Sequence, residues 1–206
     1  MYRTSYNSTS GANSRPTRIS ARKIGSLCFV LLVLGVLQSV CAQSTADEYQ
    51  VKAAFLFHFA QFLDWPADAP NAGSPTLSLC IFDDEPRRQE LEGTVEGKAI
   101  GARTFHVRLI NQTQDIQGCN ILFLSRDETR RQSAILKSLR GMPVLTVGET
   151  PDFLSDGGMI RFHLDEGETR FDINLASAEY SHLQISSRLL LLATSVTRGG
   201  VADRRR

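Results

Sequence analysis

The runs LSLCIF (residues 77–82), CNILFL (119–124) and VLTV (144–147) are short, apolar and rich in branched side chains, which is how strands buried on both faces of a sheet read. The segments between them carry a different period. Asp83 and Asp84 precede Glu85-Pro86, a helix start with proline in the first turn, and the helix runs to about Gly93. Thr104 to Ile110 alternates Phe105, Val107 and Leu109 with polar residues, as a strand with one solvated face does. Ser125 to Asp127 cap a helix ending near Leu139, with Gly141 as its stop. Strand and helix thus alternate from 77 to 147, which predicts an α/β domain with a mixed, partly parallel sheet and helices on both faces.

The last third has an antiparallel character. Met159–Leu164 and Thr169–Ile173 flank Asp165-Glu166-Gly167-Glu168, so a hairpin is expected near the C-terminus. Asn174 caps a helix through Ser181. A final helix is expected from Ser186 to Thr197, carrying Leu189 to Leu192, Ala193 and Val196.

Upstream, YQVKAAFLFHFAQFLDWP (residues 49–66) places four Phe, one Tyr and the only Trp in a helix that is apolar nearly all round and is expected to end at Trp65-Pro66. Val51, Phe55, Leu56, Phe59, Ala60, Phe62 and Leu63 cover its broad face. Phe57 falls on the narrow polar side with Gln50, Gln61 and Asp64, so it is a candidate contact for a partner protein. Lys52, inside the apolar face, reads as a snorkelling or paired lysine.

Residues 1–23 hold five basic residues and no acidic ones, and Ile24 to Leu37 is an apolar run shorter than the roughly 20 residues a membrane span needs. Val40-Cys41-Ala42 then supplies the small-residue pattern of a cleavage site. We expect residues 1–42 to be a cleaved signal peptide, 43–198 the folded domain and 199–206 a flexible basic tail, in a protein exported to the periplasm. A lipid-anchored form would use Cys41, but Gln38-Ser39-Val40 lacks the Leu and the small residue that precede an acylated cysteine.

The chain holds 23 Lys and Arg against 22 Asp and Glu; without the five basic residues of the leader, 18 face 22, a net charge of −4. Such a domain lacks the clustered basic surface of a nucleic-acid binder. Two cysteines stay after cleavage, Cys80 and Cys119, and in an oxidising compartment an isolated pair is more often bridged than free.

Motifs of catalysis are sparse. HExxH, GxSxG and CxxC are absent, and His58, His106, His163 and His182 have no ligand spacing. No metal or cofactor is expected. Asp84 follows a strand's carboxyl end, where open sheets take their ligands, although an aspartate there also serves as a helix cap. Arg170 and Asn174 bracket Phe171-Asp172-Ile173: an internal ion pair and a cap are one reading, and an anion or acidic partner side chain held by the Arg is the other. His163 beside Asp165 and Glu166 could hold a metal, or be the solvated tip of the hairpin. The alternative to a partner-binding protein is a periplasmic small-ligand module whose strand-end loops present Asp84, Arg126 and Arg170.

Six ordered blocks together, YQVKAAFLF (49–57) with Phe59-Ala60, Phe62 and Trp65-Pro66, LCI (79–81) with GCNILF (118–123), VLTV (144–147), GGMI (157–160), RFDINL (170–175) and ISSRLL (185–190), resemble the YfiR-like family of secreted bacterial proteins. The resemblance implies a periplasmic α/β domain, often dimeric, that represses an inner-membrane diguanylate cyclase by binding its periplasmic sensor domain. An outer-membrane lipoprotein that sequesters the repressor is implied as a second partner. Lowered cyclic di-GMP, and with it less biofilm, would follow. A bridge between Cys80 and Cys119 also carries over, whereas a second cysteine pair of the best-known member has no counterpart here.

Overall fold

A computed structural model describes residues 48–67, 69, 71–82, 84–198 and 201–204. The expected leader (1–42), Asp83, residues 199–200 and residues 205–206 lie outside the described residues. The chain begins there with helix α1 (48–61) and a two-residue strand β1 (Leu63–Asp64), and goes on with β2 (Thr76–Phe82), α2 (Glu85–Val95), β3 (Ala99–Ile100) and β4 (Arg103–Ile110). After a 3-10 turn at Thr113–Gly118 come β5 (Ile121–Leu124), a second 3-10 turn (Arg126–Glu128), α3 (Thr129–Ser138) and β6 (Leu145–Gly148). The remainder is β7 (Ile160–Asp165), β8 (Glu168–Asn174), α4 (Leu175–Tyr180), β9 (Gln184–Ile185), α5 (Ser187–Leu192), β10 (Ser195–Arg198) and β11 (Val201–Arg204).

Among the described residues nine strands form one sheet in the order β11-β10-β8-β7-β6-β5-β2-β4-β3. The β4-β2-β5-β6-β7 pairings are parallel, as the apolar runs predict. The β7-β8 hairpin is antiparallel and turns through Glu166 and Gly167, whose φ of 50° and 84° suit the tight two-residue loop that matches strand twist. The α/β fold with helices on both faces and a late hairpin is therefore the one the sequence predicts.

Alternation along β2 divides the core. Leu77, Leu79 and Ile81 face α1 and α2, while Cys80 and Phe82 face α3 and the first 3-10 turn. Phe59 of α1 packs against Phe162 at 5.6 Å and Phe171 at 5.0 Å between ring centroids, so α1 also covers the hairpin. On the other face Cys80 and Cys119 form a disulfide with a Cα separation of 5.8 Å, and both are buried.

Two expectations fail at element ends. Helix α1 stops at residue 61 rather than at Trp65-Pro66: the Phe62 amide already donates to both His58 and Phe59 carbonyls, and Leu63–Asp64 pairs antiparallel with Gln184–Ile185. Proline at 66 bars the α conformation from residue 65, and burial of Leu63 against β9 favours an extended chain before it. The expected helix Ser186–Thr197 breaks at Ala193, whose φ, ψ of −72°, 142° are extended, and Ser195–Arg198 becomes β10, parallel to β8. A strand there buries Val196 and gives the outer side of β8 its hydrogen bonds, which outweighs the helical pattern of the leucines. Leu191 and Leu192 stay 65% and 64% exposed, because a six-residue helix cannot turn four successive leucines inward. Residues Val201–Arg204, within the expected tail, pair antiparallel with β10.

Candidate functional site

The chain leaves β2 through α2 to β4 on one side and later reaches β5 on the other. Strand order therefore reverses at the carboxyl ends of β2 and β5, the place where open α/β sheets bind ligands. Asp84, Ser125-Arg126 and, one strand on, Glu149 stand at these ends.

In this protein α1 fills the crevice from within. Lys52 and Tyr49 descend from α1's first turns onto Glu149, and the three are 2%, 6% and 7% exposed. Lys52 Nζ donates to Glu149 Oε1 and to Glu48 Oε1; the Tyr49 hydroxyl donates to Glu149 Oε2 at 2.9 Å, and the Arg126 amide donates to the same oxygen at 3.0 Å. Both carboxylate oxygens are thus satisfied, which a buried charge requires. Lys52 Nζ and Arg87 Cζ each lie over the Tyr49 ring, 4.2 Å from its centroid, and the ring meets Phe123 edge-on. Burial, and next the negative charge of Glu149, push the Tyr49 hydroxyl far above its ordinary range, so it stays a hydrogen-bond donor. Arg87 pairs with Glu90 at 3.1 Å and approaches Asp84 at 3.9 Å.

The arrangement is a closed ionic clamp that ties the start of α1 to β5 and β6. Its consequence is orientation: Gln50, Val51, Ala54, His58 and Gln61 are turned to solvent, and half-buried Phe55 and Phe57 border that stripe. Phe57 packs on Phe105 of β4 at 5.6 Å, with Lys98 Nζ 5.6 Å from its ring. Val51, expected inside the apolar face, is 46% exposed.

Of the residues singled out in the sequence, Asp84 and Arg126 follow the carboxyl ends of the neighbouring strands β2 and β5. Asp84 caps α2 by accepting from the Arg87 amide, and Arg126 turns its side chain to solvent while its backbone joins the clamp. Arg170 is exposed on the hairpin and pairs with Glu168 at 2.5 Å; Asn174 caps α4 through the Ser177 amide and donates to the Leu154 carbonyl. Asn174 is thus a cap, and the Arg170 pair is a surface one. Sequence reasoning missed Glu149 and Asp172. Buried Asp172 accepts from Arg161 at 2.5 Å and from Ser195 at 2.6 Å, with His163 Nδ1 3.3 Å away. Arg161, Ser195 and His163 thus surround the Asp172 carboxylate, and the serine donates to it rather than to the imidazole. Among the described residues no group of three or more His, Cys, Asp and Glu is placed to hold a metal, and no helix is long and apolar enough to cross a membrane. A lysine inside an apolar helix face signals a carboxylate partner, but nothing in the sequence says which.

An α/β domain whose strand-end crevice is occupied by its own first helix is the class the geometry defines. The YfiR/HmsC-like family matches residues 49–194, from Tyr49 of the clamp to the approach to β10, and the chain belongs to that family. Among solved structures it is similar to the ABC domain in complex with L-Trp from Streptococcus pneumonia, at 10% identity and a TM-score of 0.46. That match covers 59% of this chain and 55% of the other, so the chain spans about half the length of that structure.

Proposed function

We propose that this protein is a periplasmic regulator that binds the periplasmic sensor domain of an inner-membrane signalling protein and holds a diguanylate cyclase inactive. Family membership over residues 49–194 carries the reading, because the family is one of regulatory, non-catalytic periplasmic proteins. The clamp supports it: α1 is held rigidly with a mixed polar and apolar stripe outward, a surface suited to a protein partner. Phe57, at the border of that stripe, is the contact we place first. Repression then works by preference for one conformation of the sensor, since a partner shifts an equilibrium only by differential affinity. Homodimerisation, and sequestration by an outer-membrane lipoprotein, complete the proposal. The small-ligand alternative at Asp84, Arg126 and Arg170 is disfavoured, because Tyr49 and Lys52 occupy the crevice and Arg170 lies on the hairpin.

The test is co-purification with a membrane protein that joins a periplasmic sensor to a cytoplasmic cyclase, together with cyclic di-GMP in a deletion strain. A rise in cyclic di-GMP on deletion is expected. An unchanged level, with no such protein captured, refutes the proposal.

A further inference from the structure

A cleft of about 730 Å³ opens between the C-terminal half of α3, the turn at 155–157, α4 and β10, away from the clamp. It falls within the range of small-molecule sites, about 300–1,000 Å³. Leu136, Leu139 and Met159 form its apolar part. The polar groups deepest in it are already engaged: Thr146 Oγ1 accepts from the Met159 amide, and Asn174 caps α4. Asp156 accepts from Gln132 at 2.8 Å.

Ser155 Oγ donates to the Asp152 carbonyl at 2.8 Å, but other polar groups of the wall are unspent. Among the described residues the hydroxyls of Ser133, Ser177, Ser181 and Thr197 enter no hydrogen bond, and Lys137 enters no ion pair. Arg140 lies over the Tyr180 ring, 5.1 Å from its centroid, without a carboxylate partner. Each hydroxyl can both donate and accept, which matches the hydroxyls of a polyol, and the guanidinium fork matches a carboxylate.

We propose that this cleft binds a sugar acid, a carboxylate-bearing polyol of one or two rings, with Lys137 and Arg140 on the carboxylate and the serine and threonine hydroxyls on the ring. The inference stands apart from the partner reading, since no residue of α1 lines the cleft.

The test is amide chemical-shift titration of the ¹⁵N-labelled protein with D-glucuronate, glucose and acetate. Glucuronate is expected to shift amides of residues 133–140 and 174–181 and to bind about tenfold or more tightly than either of the others, since a hydrogen bond to a charged group is worth about that much. The double variant Lys137→Gln/Arg140→Gln, both at exposed positions, should lose about tenfold in affinity for glucuronate with an unchanged Tm, and Ser177→Ala should weaken it independently. Binding no tighter than acetate, no tighter than glucose, or shifts that map elsewhere would each overturn the proposal.

Discussion

At the scale of single residues, Glu149 is the side chain on which most converges. Removing it leaves Lys52 charged and buried without its main partner, so Glu149→Ala should cost about 3–5 kcal/mol in urea unfolding. The double change Lys52→Met/Glu149→Leu should recover only part of that loss, because no charge is left buried but the Tyr49 hydroxyl and the Arg126 amide still lack an acceptor. Tyr49 gives a pH signature. Its hydroxyl is raised in the folded protein, so its contribution is fully present below the unfolded tyrosine value of about 10 and is lost as pH rises above it, where only the unfolded chain ionises. The difference in Tm between the native protein and Tyr49→Phe should therefore shrink between pH 9 and pH 11. A constant difference would mean that the hydroxyl is not held neutral by the fold. At Glu96, burial alone would raise the carboxyl, but the His106 and Val107 hydrogen bonds outweigh it and lower the pKa.

At the scale of elements, α1 and the 148–158 segment make separable predictions. Phe57→Ala removes a half-buried ring and should cost about 1–2 kcal/mol. If it also abolishes partner binding while the fold survives, the stripe on α1 is the contact surface; intact binding makes α1 scaffold alone. Phe153 sits as a plug between Gly148 and Gly158, and a Cβ on either glycine would come within 2.2 Å of its ring. Gly148→Ala must therefore displace Phe153 and should destabilise by about 2 kcal/mol or more, whereas exposed Ala54→Ser on α1 should be near neutral by the same measurement. Element boundaries also show where local pattern ceases to decide. The four leucines at 189–192 read as the middle of a long helix, yet the free side of β8 draws the next residues into a strand, since hydrogen bonding and burial of Val196 act over tens of residues.

At the scale of the whole molecule, the disulfide joins β2 to the start of β5 across 39 residues, beneath α3. Replacing both cysteines by alanine should lower stability by about 3–4 kcal/mol on the chain-entropy account, read as a shift in the urea midpoint at unchanged slope. Much of this architecture was legible in the chain. Apolar runs at 77–82, 121–124 and 144–147, with helical segments between them, determine a partly parallel sheet, because only strands covered on both faces can be so continuously apolar. The hairpin at 165–168 and the Asn174 cap are equally local, and the structure bears them out. Helix ends, the site and the side-chain partners were not, because they depend on contacts between distant positions. Glu149 lies 97 residues from Lys52, and only the packing of α1 against the sheet brings the two together. By itself the sequence determined which segments must be buried, since hydrophobic period is a property of neighbouring residues. Tertiary structure alone decided that the crevice at the strand ends is closed by α1 and that the cleft beside α4 stays open, since burial of a charge is settled by which opposite charge the fold delivers to it.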